Sequence, residues 1–279
     1  MKNIILPTIF LFFIGASSYG QDKIKKAEES LKKEKTTHVA SSKKRSKNKN
    51  NDTSSENDFF AEAIGYLLVN AFLYTSYYAI IESPFEYEHK ASKSTITKYP
   101  YLNSEKGNYS YDWYEGSEIF RTAIENRYIF ENSRINGNHL NVDMRFLKRL
   151  GLEVDYLQLW EDNPNFGKNT LAIYSVLAKY YRVRTERFDL WWGLGTSYVD
   201  GEVNQLGLTY GLGAEAFIAK PISIVSNFNQ TLINNQTINK FSGLLNYHIK
   251  QYKISGGYEH IKIGSQGFST IAFGAGFFF

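Results

Sequence analysis

The stretch "FSTIAFGAGFFF", Phe268 to Phe279, decides how the rest of the chain is read. Ile271, Phe273, Ala275, Phe277 and Phe279 fall on one face of an extended segment, opposite Thr270, Ala272, Gly274 and Gly276. Apolar residues at period two mark a strand with one greasy side. A segment this apolar at the end of a chain needs something apolar to lie against.

The same alternation recurs upstream. Leu206, Leu208, Tyr210, Leu212, Ala214, Ala216 and Ile218 oppose Gly207, Thr209, Gly211, Gly213 and Glu215. Phe188, Leu190, Trp192, Leu194 and Tyr198 oppose Asp189, Gly193, Gly195 and Ser197. Leu150, Leu152, Val154, Tyr156 and Trp160 oppose Gly151, Glu153 and Asp155, but there the phase falters, with Gln158 on the apolar face and Leu157 and Leu159 on the other. A bulge near Tyr156, or emergence from the membrane there, accounts for the fault. Ten segments are expected, at about 117–131, 136–147, 150–161, 168–183, 186–199, 204–219, 221–232, 237–249, 251–263 and 267–279. Tight turns at Lys148-Arg149, Arg184-Thr185, Lys220-Pro221 and Lys250-Gln251 alternate with "EDNPNFGKN", "VDGEVNQ" and "NNQTINK", which read as longer loops. Short turns on one side and longer loops on the other describe an antiparallel up-and-down transmembrane β-barrel over 117–279.

Alternation alone leaves two barrels open, one with the apolar face inward and one with it in lipid. Glycine favours the second. Gly151, Gly193, Gly195, Gly207, Gly211, Gly213, Gly257, Gly274 and Gly276 share the charged face, and Gly243 and Gly256 the apolar one. A crowded narrow lumen needs missing side chains, and a water-exposed face does not. The charged face then projects Arg121, Arg127, Arg145, Lys179, Lys240 and Lys253 inward with Glu125, Asp143, Glu153, Asp155, Asp189, Glu215 and Glu259. Near-balance of sign reads as a salt-bridged, closed lumen, since an ion-selective channel would carry one sign in excess.

Ahead of the barrel the chain changes character three times. Residues 1–20 carry Lys2, an apolar run and small residues before Gln21, the pattern of a secretory signal peptide. Residues 21–58 are polar, and Asp22 to Asp58 alone holds 11 Lys or Arg against 7 Asp or Glu, so they read as a disordered basic periplasmic linker. Within it Lys43, Lys44, Arg45, Lys47 and Lys49 are candidates for contact with anionic lipid or cell-wall polymer, against the plainer reading of a solvated charge run. Residues 59–83, beginning "FFAEAIGYLLVNAFLYTSYYAII", read as an amphipathic interfacial helix, with a spanning helix as the competing reading. Residues 84–116 form an aromatic strap.

Composition excludes several functions. The absence of cysteine removes disulfides, thiol nucleophiles, zinc-thiolate sites and a lipidated N-terminal cysteine. From Phe59 onward 20 basic residues face 21 acidic ones, which offers nothing to nucleic acid. No cofactor or metal motif is present, and Lys168 ends a loop that lacks the Gly-Lys-Ser/Thr of a phosphate loop.

The ending resembles that of the small outer-membrane β-barrel proteins of Gram-negative bacteria, through Ile271, Phe273, Ala275, Phe277 and Phe279. That resemblance implies residence in the outer membrane, lipid contact, and a C-terminal signal in Ile271, Phe273, Phe277 and Phe279 read by the barrel-assembly machinery. Omptin-like proteases, also ten-stranded, pair two Asp opposite an Asp and a His. The nearest match is Glu153 and Asp155 with adjacent Glu259 and His260, which alternation sends to opposite faces. A lipid hydrolase needs a Ser-His pair, and Ser242 with His248 on one strand are about 20 Å apart. His139 reads as a solvated residue at a loop edge. The expectation is a non-enzymatic anchor or accessory subunit docking an envelope assembly or the cell wall through its N-terminal segment; the alternative is a small pore with the helix as plug.

Overall fold

A computed structural model of the chain describes residues 22–32, 81, 86, 89–113, 116–163 and 167–279. The expected signal peptide, residues 43–49 and most of 59–83 lie outside the described residues.

Ten antiparallel strands close into a barrel: β4 (Phe120–Phe130), β5 (Ile135–Phe146), β6 (Leu150–Asn163), β7 (Gly167–Arg184), β8 (Phe188–Asp200), β9 (Gln205–Ala219), β10 (Ile222–Ile233), β11 (Gln236–Ile249), β12 (Tyr252–Ile263) and β13 (Gln266–Phe278). Each pairs with its sequence neighbours, and β13 closes on β4 through Ile271↔Phe130 to Phe278↔Ala123. Thr122 and Phe279 exchange backbone hydrogen bonds of 2.8 and 2.9 Å that extend the seam. Ten strands match the sequence expectation, with bounds shifted by a few residues.

The apolar face points outward. Leu206, Leu208, Leu212, Ile218, Ile254, Ile271 and Phe273 are exposed on the wall, while the charged face is buried inside. The glycines obey the same division: a Cβ on Gly213 would lie 2.6 Å from the Trp191 ring, whereas on outward Gly256 it would meet nothing nearer than 3.7 Å. An exterior of this kind is a surface for lipid.

Three features depart from the sequence reading. First, the expected long loops are short: only 131–134, 201–204, 234–235 and 264–265 intervene between described strand ends, because the strands continue through much of "EDNPNFGKN", "VDGEVNQ" and "NNQTINK". Second, Ser117 and Glu118 belong to the strap: β3 (Ser117–Glu118) joins β1 (Thr95–Thr97) and β2 (Tyr109–Ser110) in a small sheet ordered β2-β1-β3. Third, part of the expected disordered linker is a helix, α1 (Lys23–Leu31). Its sequence KIKKAEESL places Ile24, Ala27, Glu28 and Leu31 at i, i+3, i+4 and i+7, one helical face, and all four are buried.

α1 lies in the mouth formed by the loops. Its first N–H groups, on Lys23 and Ile24, donate to the Glu161 carboxylate at 3.1 and 2.9 Å, and Asn234 Nδ2 donates to the Leu31 carbonyl at 3.1 Å. Both ends of a short helix thereby find partners for groups the helix itself leaves unpaired. Lys23 pairs with Glu131 at 2.5 Å, Lys32 with Glu202 at 2.9 Å, and the Ser265 N–H donates to Ser30 Oγ at 3.3 Å. Among the described residues α1 thus touches four connections of this mouth, and it meets β6 through Glu161 near the strand end. The strap closes the other mouth, among the turns.

Burial without a full partner pushes the Glu28 carboxyl above the usual range; the Glu202 N–H, 2.8 Å from Glu28 Oε1, and Lys32 pull it back, while the Glu202 charge adds to the rise. A carboxyl raised in the docked state favours docking when protonated, so docking weakens as pH rises through that raised pKa. Glu28→Gln should flatten this dependence and slow amide exchange in α1 at neutral pH. Unchanged exchange against pH in both proteins would contradict the assignment.

Candidate functional site: the charge-filled lumen

All thirteen lumen residues expected from alternation line one central cavity: Arg121, Glu125, Arg127, Asp143, Arg145, Glu153, Asp155, Lys179, Asp189, Glu215, Lys240, Lys253 and Glu259. What the projection did not show is how they pair. Two clusters form.

The first centres on His139. Its Nε2 lies 2.5 Å from Asp155 Oδ2 and its Nδ1 2.6 Å from Glu259 Oε2. Carboxylates only accept, so both ring nitrogens donate and the ring is an imidazolium. Arg127 Nη2 is also 3.0 Å from Nδ1, but the carboxylate is nearer. Arg127 donates to Glu259 at 2.7 Å and reaches Glu125 at 2.9 Å, which Lys253 also meets at 2.8 Å. Lys240 pairs with Asp155 and lies 3.2 Å from Ser175 Oγ. Counting the His139 charge, seven cations face seven carboxylates.

His139 corrects the sequence reading, which left it solvated. β5 begins at Ile135, so the residue is mid-strand and 6% exposed. Alternation back from Arg145, Asp143 and Asn141 reaches it, and that phase was the available signal.

The second cluster centres on Asp143, which accepts from Arg145 at 3.2 Å, Lys179 at 2.9 Å and the Tyr181 hydroxyl at 3.0 Å. Lys179 also binds Glu153 at 2.9 Å and sits 4.1 Å from the Trp191 ring centroid. Charge pairs backed by aromatic faces are the arrangement that lets a buried cation survive loss of water. Tyr181 and Trp191 face inward, a role their apolar character hid.

The strap completes this cluster. Asn108 Nδ2 donates to Asp189 at 2.7 Å and Glu215 at 2.9 Å, while its Oδ1 accepts from Arg121 at 2.9 Å. Arg121 also donates to the Thr97 carbonyl at 3.1 Å. Tyr101 donates to the Ile222 carbonyl at 2.6 Å and sets its ring edgewise on Phe217, 5.5 Å between centroids. The strap is therefore a plug whose polar residues join the lumen network.

Toward the loop mouth the interior changes. A chain of hydroxyls, Ser175, Ser197, Thr209 and Thr231, is linked at 2.6 to 2.9 Å. Beyond it Ile129, Leu157, Leu159, Leu171, Ile173, Ile238, Ile261 and Phe268 pack beneath Ile24, Ala27 and Leu31 of α1. This explains the phase fault in β6. Its register to both neighbours runs unbroken through Tyr156, so there is no bulge; Leu157 and Leu159 point inward because the lumen is apolar at that level. The register shifts that do occur lie at Tyr181/Val183 and Ile222/Ser223.

The cavity lined by these residues has a volume of about 100 Å³, room for ordered waters among the paired charges.

The other candidates fall as follows. Glu259 is inside the lumen and His260 on the wall, where it contacts Tyr258 and Ser269. His248 does not meet Ser242; its Nε2 lies 2.8 Å from Ser223 Oγ on the neighbouring strand. Ser223 also donates to Glu215 at 2.8 Å, and His248 Nδ1 has no partner to orient the ring as a nucleophile's base requires. No group of three potential metal ligands occurs among the described residues. Ile271, Phe273, Phe277 and Phe279 all lie on the lipid face of β13 or at its end.

No family model matches the sequence and no curated protein matches it. Among solved structures the barrel is similar to small outer-membrane β-barrel proteins of Gram-negative bacteria. One is Ail of Yersinia pestis in a phospholipid bilayer nanodisc, 15% identical, covering 57% of this chain and 99% of that one, TM-score 0.34. A second is an outer membrane channel of Pseudomonas putida F1, 10% identical, 60% and 98% covered, TM-score 0.38. A third is OprG of Pseudomonas aeruginosa, 13% identical, 57% and 95% covered, TM-score 0.31. The likeness is one of architecture, and the barrel's own geometry carries the reading that follows.

Proposed function

We propose that this protein is a non-enzymatic, non-conducting barrel of the outer membrane that anchors an envelope assembly or the cell wall. The observation that carries this is the double closure of the lumen: α1 in one mouth, the strap in the other, and paired charges between them. A barrel filled in this way has no interior left to work with, and its business is then with what lies outside it. The buried carboxylates already have cationic partners, which gives them a structural occupation in place of a catalytic one.

The strap and α1 are spent on closing the barrel, so docking falls to residues 33–80, including the basic run from Lys43 to Lys49. The pore alternative treats the N-terminal helix as a removable plug. Displacing α1 would still leave the charge clusters and the strap across the lumen, which favours the closed reading.

The test is a mild-detergent pull-down of the tagged protein from outer membranes, with residues 33–58 native or replaced by Gly/Ser of equal length. A stoichiometric companion lost on replacement is expected. Recovery of the protein alone in both forms would contradict the anchor role.

A further inference from the structure

Where the strap meets the rim of the turn mouth, the two leave a cavity of about 220 Å³. The strap contributes Tyr101 and Glu105 to its lining, and the rim contributes Arg187, Phe217, Ile218 and Lys220. Its walls are set by how closely the strap is drawn onto the barrel. A Cβ on Gly107 would lie 2.4 Å from the Glu186 carbonyl oxygen and 2.6 Å from the Phe217 ring, so glycine is what lets the backbone come this near. Tyr101 is fixed by its hydroxyl on the Ile222 carbonyl and its ring on Phe217, and the Lys220 ammonium donates to the Tyr101 carbonyl at 3.3 Å.

The charges around this cavity are not all spent. Lys106, also on the lining, is satisfied by Glu186 at 2.6 Å. Arg187 is exposed, and among the described residues its guanidinium has no ion pair or hydrogen-bond partner. Lys220 uses one of its three N–H donors on Tyr101. On the strap side the Glu105 carboxylate likewise has no ion-pair partner among the described residues. The cavity also straddles two environments. Phe217 points into the barrel and is 3% exposed, while Ile218 beside it lies open on the outer wall, as does Phe188 on the next strand. A ligand seated here reaches the lipid-facing wall without leaving the rim.

We infer that this cavity seats the headgroup of a phospholipid of the turn-side leaflet, one that carries a phosphodiester and a primary ammonium, as phosphatidylethanolamine does. The phosphodiester meets the free donors of Lys220 and the guanidinium of Arg187, whose planar fork gives two parallel N–H groups to one phosphate. The ammonium meets Glu105. The acyl chains lie along Ile218 and Phe188, and the area they cover favours a lipid over a soluble phosphodiester. A choline headgroup has the same charges but no N–H to give Glu105, and a glycerol headgroup leaves that carboxylate beside an anion with no cation of its own. The inference rests on the reading of the wall as lipid-facing, and it leaves docking with the linker.

The test offers full-length protein, purified in detergent, equal amounts of phosphatidylethanolamine, phosphatidylglycerol and phosphatidylcholine with matched chains, and counts bound lipid by native mass spectrometry. One phosphatidylethanolamine per protein should be retained in preference to the others. Arg187→Ala with Lys220→Ala should weaken that retention about tenfold, the worth of roughly one charge-assisted hydrogen bond. Lys148→Ala with Lys250→Ala, which removes the same charge from other turns, should leave it unchanged. Glu105→Gln should move the preference to phosphatidylglycerol. None of these side chains is buried, so the variants keep the fold. Glycerophosphoethanolamine, the headgroup without chains, should not compete at the concentration of the lipid. Retention indifferent to headgroup, an equal loss in both double variants, or competition by glycerophosphoethanolamine would overturn the seat. A full-length protein that stays in solution without detergent would instead overturn the lipid-facing wall.

Discussion

Asp155→Ala should destabilise the folded barrel by about 3–5 kcal/mol, read by urea unfolding in phospholipid bilayers. Asp155 is the shared acceptor of His139 and Lys240 and is 3% exposed. Its removal takes the carboxylate from Lys240 and leaves His139 with Glu259 alone in a lumen with little room for water, and the large cost comes from this under-compensated charge rather than from the worth of the pair. Adding Lys240→Met should therefore recover part of the loss, since one of the abandoned charges is gone and an apolar chain of similar length fills its space. A cost below about 1 kcal/mol for Asp155→Ala would mean the cluster is screened by water as a surface pair is, and the closed lumen would be wrong.

Leu212→Arg should cost about 2–4 kcal/mol in the same assay, because Leu212 sits at the middle of β9 on the wall and an Arg there faces hydrocarbon. The neighbouring Gly211→Arg tests the other face. A Cβ at Gly211 would run into the Asn229 side chain, so this variant should fail to fold for want of space. The pair separates a lipid-facing wall from a water-facing one: in a barrel dissolved in water Leu212→Arg would be neutral, since Leu212 is 57% exposed and gives up no packing there. Neutral Leu212→Arg together with tolerated Gly211→Arg would reverse the face assignment.

The barrel was legible in the sequence because the two faces of its strands differ in kind. Along β9 every second residue from Leu206 to Ile218 is apolar or small, and the glycines between them mark the crowding of the lumen, where a Cβ at Gly207, Gly211 or Gly213 would clash. The phase of β6 was misread for an instructive reason. Leu157 and Leu159 break an apolar-out rule only if the lumen is polar along its whole depth, and it is not: it changes from charge to hydroxyl to hydrocarbon toward the loop mouth. A one-dimensional pattern has no way to register a layer that belongs to ten strands at once.

α1 escaped for a different reason. Ile24, Ala27 and Leu31 are three apolar residues among many charges, too few for composition to reveal, and their burial depends on the apolar layer of a barrel that begins almost a hundred residues later. The strap's aromatic content was visible, but Asn108, the residue that bridges Asp189, Glu215 and Arg121, carries no distinguishing mark in sequence. The thirteen lumen charges were recovered because each obeys a local alternation. His139, their hub, was read as a solvated residue at a loop edge because the polar Asn136, Asn138 and Asn141 around it blur the alternation at the start of the expected strand.

The claim on which the rest depends is that the lumen is closed, and the most direct measurement is current through planar bilayers containing the purified full-length protein. No conductance steps are expected across the range of voltages the bilayer withstands, either in the native protein or after replacement of Ile24 and Leu31 by Asp to undock α1, since the charge clusters and the strap remain in place. Stable stepwise currents from the native protein would contradict the account and make the barrel a pore.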